Sequence, residues 1–326
     1  MLIIGAMLTM FLMFTGAADN KKSDYIKYAE FNVCYNALEK ALEYDIASHK
    51  SDEKIKLNWI ELLAYLGARY GGDFTGYNEA DMTELVERLK SGEKLTDITK
   101  GMKYYKYYYE VYSAVLDGFT GWYITEKPDE NGNRAEVKEY GLCVFSPIAK
   151  GFAFSHYDDF GAGRSYGYKR SHLGHDLMAS TGTPVIATET GTVEIMGWNQ
   201  YGGWRIGIRS LDKKRYYYYA HLRQNRPFHP DISEGKIVNA GEVIGYVGRT
   251  GYSTTENTNN IDTSHLHLGL ELIFDESQKE SNNEIWIDVY NIVKLLSSLR
   301  SSVVKDENTE DYRRKYNVIS TKLPQY

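Results

Sequence analysis

Cysteine is scarce in this 326-residue chain: Cys34 and Cys143 are the two, far apart and without metal-type spacing. They leave open one disulfide between distant segments or two buried thiols. A basic surplus is missing too. The formal net charge is −6 with 25% charged residues, an ordinary globular balance that gives no support for nucleic-acid binding. The apolar run Leu2 to Ala18 has no basic region before it and no cysteine directly after it. The first absence weakens a cleaved signal peptide, and the second argues against a lipoprotein. Residues 1–22 are therefore expected to be a signal peptide or a membrane anchor, near the lower limit of the roughly 17–25 residues that span a bilayer. Gly16 and Ala18 are compatible with a cleavage site. Either way the remainder is expected to be exported, with membrane attachment through this segment if it is retained. Oligomeric state is not legible.

Tyrosine is abundant, with 29 copies against 11 Phe and 5 Trp. A phenol needs a hydrogen-bond partner or water, so many of these rings must be partly exposed. That suits carbohydrate or peptide contact, and equally a wet tyrosine-rich surface.

Residues 23–126 read as a small helical domain. Leu38, Ala41, Leu42 and Ile46 recur at helical spacing. Asn58 can cap a helix over Trp59–Tyr70 closed by Gly71-Gly72, and Asn78 one over Glu79–Lys90 closed by Ser91-Gly92. A fourth helix is expected over Tyr104–Leu116. Glu61 and Asp73 do not stand at a convincing spacing for an acid–base pair and read as solvated helix charges. The Pro-Asp-Glu-Asn-Gly-Asn run at 128–133 predicts a linker or hairpin tip, within a linker and lead-in strand over 127–145.

From there the period changes to two. Strands are expected at 143–145, 185–188, 192–196, 204–209, 215–221, 243–247 and 265–273, which argues for an antiparallel barrel or sandwich over 146–300. A helix is expected over 284–300, and 301–326 reads as a loose charged tail.

Ser264-His265-Leu266-His267-Leu268 organises this half. As a strand it puts His265 and His267 on one face and Leu266, Leu268, Leu270 and Leu272 on the other. Gly269 leaves open space beside the histidines. Two adjacent imidazoles on a bare face suit a metal, since neutral histidine is a common ligand. Upstream stands His172-Leu173-Gly174-His175-Asp176, whose Gly174 argues for a loop entering a strand and against a helical His-Glu-x-x-His motif. Tyr219-Ala220-His221-Leu222 follows, with Tyr217, Tyr219 and His221 expected on one face. His229, between Pro227 and Pro230, reads as a loop histidine. A catalytic zinc takes three protein ligands and leaves a position for water. His172, Asp176 and one histidine of the pair meet that count. His221 and the other histidine are left to orient water, take its proton or stabilise an oxyanion.

These three motifs, His-x-x-x-Asp, Tyr-Ala-His-Leu and His-Leu-His, resemble the pattern of peptidase family M23, the lysostaphin/LytM-type zinc endopeptidases. Gly182-Thr183-Pro184-Val185, Gly191-Thr192-Val193 and Ala240 to Gly248 match as well, and the resemblance runs over roughly residues 160–275. It says nothing of the helical part but implies a mostly antiparallel β peptidase domain of the duplicated-hybrid-motif, barrel-sandwich type; with the N-terminal helices read above, the expected class is α+β. It implies that His172, Asp176 and His267 hold zinc, and that His221 and His265 act on the water and the transition state. The implied partners are peptidoglycan peptides, stem or cross-bridge, at the outer face of the membrane or in the wall. Tyr219, Arg164 and Arg170 are candidate substrate contacts. His175 stands where the family usually has an apolar residue, and it is expected to point away from the metal. The loops at 224–231 and 254–263 exceed the family minimum and are expected near the groove.

Two rivals remain. Some relatives have lost a ligand and serve as silent scaffolds or activators in division or sporulation, but here every ligand is present. A lipoyl-type carrier would need a lysine at a hairpin tip, where Glu189-Thr190-Gly191 stands instead.

Overall fold

Asn58 and Asn78 set the helical part. The Asn58 carboxamide oxygen accepts from the amides of Ile60 and Glu61, and Asn78 accepts from Ala80, so each satisfies donors that an α-helix leaves open. The helices they start end at Tyr70 and Lys90, and Gly71 closes the first with φ of 67°. The computed structural model describes residues 25–128, 133–166, 168–279, 281 and 283–321. The apolar run Leu2 to Ala18 lies outside them. No helix among the described residues is long and apolar enough to cross a membrane.

In chain order the helices of the first part are α1 (Tyr35–Lys50), α2 (Trp59–Tyr70), α3 (Glu79–Lys90), α4 (Leu95–Ile98) and α5 (Tyr105–Leu116). The strands then follow: β1 (Thr120–Pro128), β2 (Arg134–Leu142), β3 (Phe154–His156), β4 (Gly163–Tyr166), β5 (Tyr168–Ser171), β6 (His175–Ala179), β7 (Pro184–Ile186) and β8 (Gly191–Asn199). Next come β9 (Gly203–Ser210), β10 (Arg215–Ala220), β11 (Ile237–Val238), β12 (Val243–Tyr246), β13 (His265–Leu272) and β14 (Ile285–Trp286). The chain continues through α6 (Tyr290–Leu296), β15 (Val303–Lys305), β16 (Tyr312–Arg314) and β17 (Val318–Ser320).

The main sheet runs β11-β8-β9-β10-β13-β6-β3, with β14 also pairing β13, and every pairing is antiparallel. β13 lies between β10 and β6. Its four leucines are at most 3% exposed and share one apolar core with Leu38, Trp59, Leu63 and Val115 of the helices. Arg215 joins the two parts through polar contacts. It is 1% exposed, pairs bidentately with Glu189 at 2.8 and 2.9 Å, and donates to the Ala114 carbonyl at the end of α5 at 2.8 Å.

Several expectations give way. The stretch 143–145 is not a strand: the Cys143 and Phe145 amides donate singly to Phe119 and Thr188 carbonyls. Cys34 and Cys143 are not joined to each other, and the Cys143 thiol faces the Gly121 and Gly141 carbonyls at 3.8 and 3.7 Å. Of the two readings of 128–133, linker or hairpin tip, the pairing of β1 with β2 favours the hairpin, whose tip, 129–132, lies outside the described residues. The helix expected over 284–300 is the single short α6, because residues 285–286 pair with β13 instead. The tail is not loose as far as it is described. β17 pairs with β1, and buried Asp311 accepts from Tyr246 and Arg226. The last five residues lie outside the described set.

Candidate active site

β13 meets β6 with His267 opposite Asp176, and β10 with His267 opposite Ala220. This register carries both β13 histidines and the Asp176 carboxylate onto one face. His172 reaches the same point from the turn before β6. Its Nε2 lies 2.9 Å from His267 Nδ1 and 3.0 Å from Asp176 Oδ1, and His267 Nδ1 lies 3.0 Å from that same oxygen. Gly174 makes room for this. A Cβ there would stand 2.5 Å from the His267 ring.

The remaining ring nitrogens decide the tautomers. His172 Nδ1 faces the Asp159 carbonyl at 3.2 Å and the Asp159 carboxylate at 3.2 Å, so its hydrogen belongs on Nδ1 and its Nε2 lone pair faces the cluster. Two ring nitrogens and a carboxylate oxygen then crowd together within 4.8 Å. Lone pairs so close repel unless a cation lies among them. Tetrahedral zinc at about 2.0–2.1 Å from each donor would set them about 3.3 Å apart, so the set fits a first-row divalent ion after slight expansion. Asp159 completes a carboxylate–histidine–metal arrangement behind His172.

His221 and His265 flank the cluster. His221 Nδ1 donates to the Thr250 carbonyl at 2.9 Å and His265 Nδ1 to the Thr263 carbonyl at 2.8 Å, so each is left with Nε2 as an acceptor. Their rings are 4.8 Å apart, and His265 Nε2 is 3.7 Å from Asp176 Oδ1. Burial holds the proton affinity of His221 well below the usual histidine range, helped by His265 and His267. Burial lowers that of His267 as well, opposed by its close contact with Asp176. The Asp176 carboxyl is pushed up by burial, but its close contacts with the His172 and His267 rings outweigh this and hold it below the usual carboxylate range. Neutral imidazoles and an ionised carboxylate are the forms that bind a metal.

Tyr219 does not contact the groove. It is fully buried, and its hydroxyl oxygen accepts from the Thr188 amide in the core. Tyr217, Tyr219 and His221 do not share a face because His221 has φ of +60°. This left-handed residue interrupts the alternation, swinging the imidazole to the groove while Leu222 stays buried. Tyr216 and Tyr218, of opposite parity, line the groove instead. The space above Gly269 is filled by the Trp286 ring, whose nearest atom would stand 2.6 Å from a Cβ there. His175 faces away from the cluster, its Nε2 2.8 Å from His156 Nδ1, and burial lowers its proton affinity to about 3.

The groove over the cluster holds about 600 Å³. Arg164 and Arg170 both line it. Arg164 spends its charge on Asp159 and, at 3.3 Å, on Asp176. Arg170 is braced between the rings of Tyr201 and Tyr252, 5.0 Å from each. The long loops at 224–231 and 254–263 bond to one another through Asn225 and Asn257. Sequence spacing gave no signal for Asp159, whose place depends on how the loop before β4 folds back. Strand parity alone could have found Tyr218.

Residues 170–282 match the family model Peptidase family M23. Over these residues, about a third of its length, the chain is similar to the M23 peptidases. Its sequence is 42% identical over 117 residues to the L-Ala–D-Glu endopeptidase of Bacillus subtilis (strain 168), covering 36% of this chain and 34% of that one. It is 38% identical over 99 residues to the glycyl-glycine endopeptidase ALE-1 of Staphylococcus capitis, covering 30% and 24%. The chain thus spans about a third or less of the length of these curated relatives. In fold, the matched region and the helices together resemble the crystal structure of a candidate glycyl-glycine endopeptidase lytM from Ruminococcus gnavus, with a TM-score of 0.52, 22% identity, and coverage of 85% of this chain and 92% of that one.

Proposed function

We propose that this protein is a zinc-dependent endopeptidase that hydrolyses peptide bonds of bacterial peptidoglycan outside the cytoplasmic membrane, with residues 1–22 as its export or anchoring segment. The observation that carries this reading is the convergence of His172 Nε2, Asp176 Oδ1 and His267 Nδ1 in one half-open cluster. Those three residues would hold the ion. Bound zinc supplies Lewis acidity toward a carbonyl and lowers the pKa of a water to about 7.

The chain's own groups account for the rest. His221 and His265 present unprotonated Nε2 atoms to the groove, positions from which either can take a proton from water and return it to the leaving amine. Once protonated, each becomes a cationic donor to a developing oxyanion. The carbonyls of Thr250 and Thr263 keep both rings in the required tautomer. The chain is similar both to an L-Ala–D-Glu endopeptidase and to a glycyl-glycine endopeptidase, so the similarity alone does not choose between those bonds.

The test is mass analysis of peptidoglycan fragments after digestion by the full chain loaded with zinc. One bound zinc per chain and cleavage of an amide are expected, and His267→Ala loses both. Undiminished cleavage by His267→Ala, or failure to retain zinc, would refute the assignment.

A further inference from the structure

One cation of the groove has no direct ion pair among the described residues, although Glu271 and Glu284 line the same space. Arg205 of β9 lines it, half-buried, and among the described residues no carboxylate comes within ion-pair distance. Its Nε is shielded from water and has no hydrogen-bond partner. The other cations of the groove differ. Arg164 is held by two aspartates, Lys279 by Glu194, and Arg170 donates to the Tyr252 hydroxyl. An arginine is always charged, and leaving it half-desolvated and unpaired costs stability, which a bound anion would restore.

The sheet fixes where that anion would lie. Asp176, His267 and Ala220 form one cross-strand row. Extending the β9–β10 register from Ile206 opposite Tyr219 by one residue puts Arg205 beside Ala220, at the end of the same row. Two strand spacings separate the backbones of Arg205 and His267, about 10 Å, the span of about three extended peptide residues. The methyl of Ala220 leaves the floor between them low. The Tyr218 ring lies 6.0 Å from the Arg205 guanidinium, and Arg170 approaches the same tyrosine.

From this we infer that Arg205 is a specificity-determining residue: it binds a free carboxylate carried within about three residues of the scissile bond. The inference rests on the peptidase reading and deepens it, committing the groove to acidic peptides over neutral glycine chains. A guanidinium and a carboxylate pair through charge-assisted, often bidentate hydrogen bonds, which an amide cannot match.

Calorimetry on the full chain prepared without metal tests this. The probes are the tripeptide L-Ala–D-Glu–L-Lys with its glutamate carboxylate free, and the same peptide with that group amidated. The free acid is expected to bind at least about tenfold tighter. In Arg205→Gln the ratio should fall to near one, and Arg205→Lys should restore part of it. Should Arg205→Gln fold poorly, raising NaCl on the unaltered protein gives a second measure, since salt should erode the preference for the acid. Equal affinities, no measurable binding of either peptide, or a preference that survives Arg205→Gln would overturn the inference. If the zinc-loaded chain cuts neither peptide while the preference holds, the peptidase reading fails and the carboxylate site stands.

Discussion

The two faces of β13 are built from the same eight residues and do opposite things. One face is aliphatic: Leu266, Leu268, Leu270 and Leu272 are packed into the core shared with the helices. Its burial stabilises the fold at about 25 cal/mol per Å² of apolar surface. The other face holds His265 and His267, the latter with its proton affinity lowered by burial, a lone pair of His267 facing one of His172, and a neighbour, His221, in a left-handed conformation that costs about 1–3 kcal/mol. One strand thus carries both the main source of stability and the groups that spend it. A face of crowded imidazoles and a carboxylate is tolerable here because the leucine face directly beneath it is so well packed.

That contrast can be broken from either side. Leu266→Ala should have the largest effect, destabilising the protein by about 2–5 kcal/mol through lost transfer energy and a residual cavity. Urea unfolding would measure this, while the folded fraction still binds one zinc. A protein that keeps its stability but loses zinc would show that the faces are not separable. Gly174→Ala acts on the groove face alone. Its methyl would meet the His267 ring at 2.5 Å, so zinc affinity should fall about 10- to 100-fold, read by chelator competition, with a much smaller change in unfolding midpoint. Unchanged affinity would mean that the ring has slack that the packing does not show.

The smallest effect lies away from both faces. His229 is 4% exposed, with its Nδ1 accepting from the Asp231 amide at 3.2 Å. Burial lowers its proton affinity; Asp231 and Asp311 oppose this, while Arg313 and Lys236 reinforce it. Above about pH 6.5 the ring is neutral both folded and unfolded, and its contribution is complete. As pH falls below that value the unfolded chain takes up the proton first, so stability declines. His229→Gln should flatten the decline between pH 6.5 and 4.5 by a modest amount, seen in melting temperature against pH. An identical slope would assign the acid sensitivity to other groups.

Legibility followed locality. α2 and α3 could be read to the residue because Asn58, Asn78 and Gly71 act on their own neighbours. The alternation of β13 was equally plain. What failed was non-local or a single-residue matter. Nothing in the charged composition of the tail reports that β17 finds β1 almost two hundred positions away. The Trp286 ring over Gly269 depends on β14 pairing, not on any feature of the His-x-His strand. Tyr219 and His221 were placed on one face by parity, and one positive φ separated them. The five histidine and aspartate positions were visible because their chemistry is concentrated in three short motifs. Asp159 and Arg205 act through packing and register, which short motifs do not record.

Arg215 bears on how this molecule can be cut. Its guanidinium is sealed under the sheet, and one of its acceptors, the Ala114 carbonyl, belongs to a helix more than thirty residues upstream of the first strand of the main sheet. A recombinant fragment begun at residue 146 would strip that acceptor away and bare the leucine underside of the sheet to water. Useful truncation boundaries therefore lie ahead of Tyr35, and the helices are better regarded as the floor of the groove-bearing sheet than as an appendage to it.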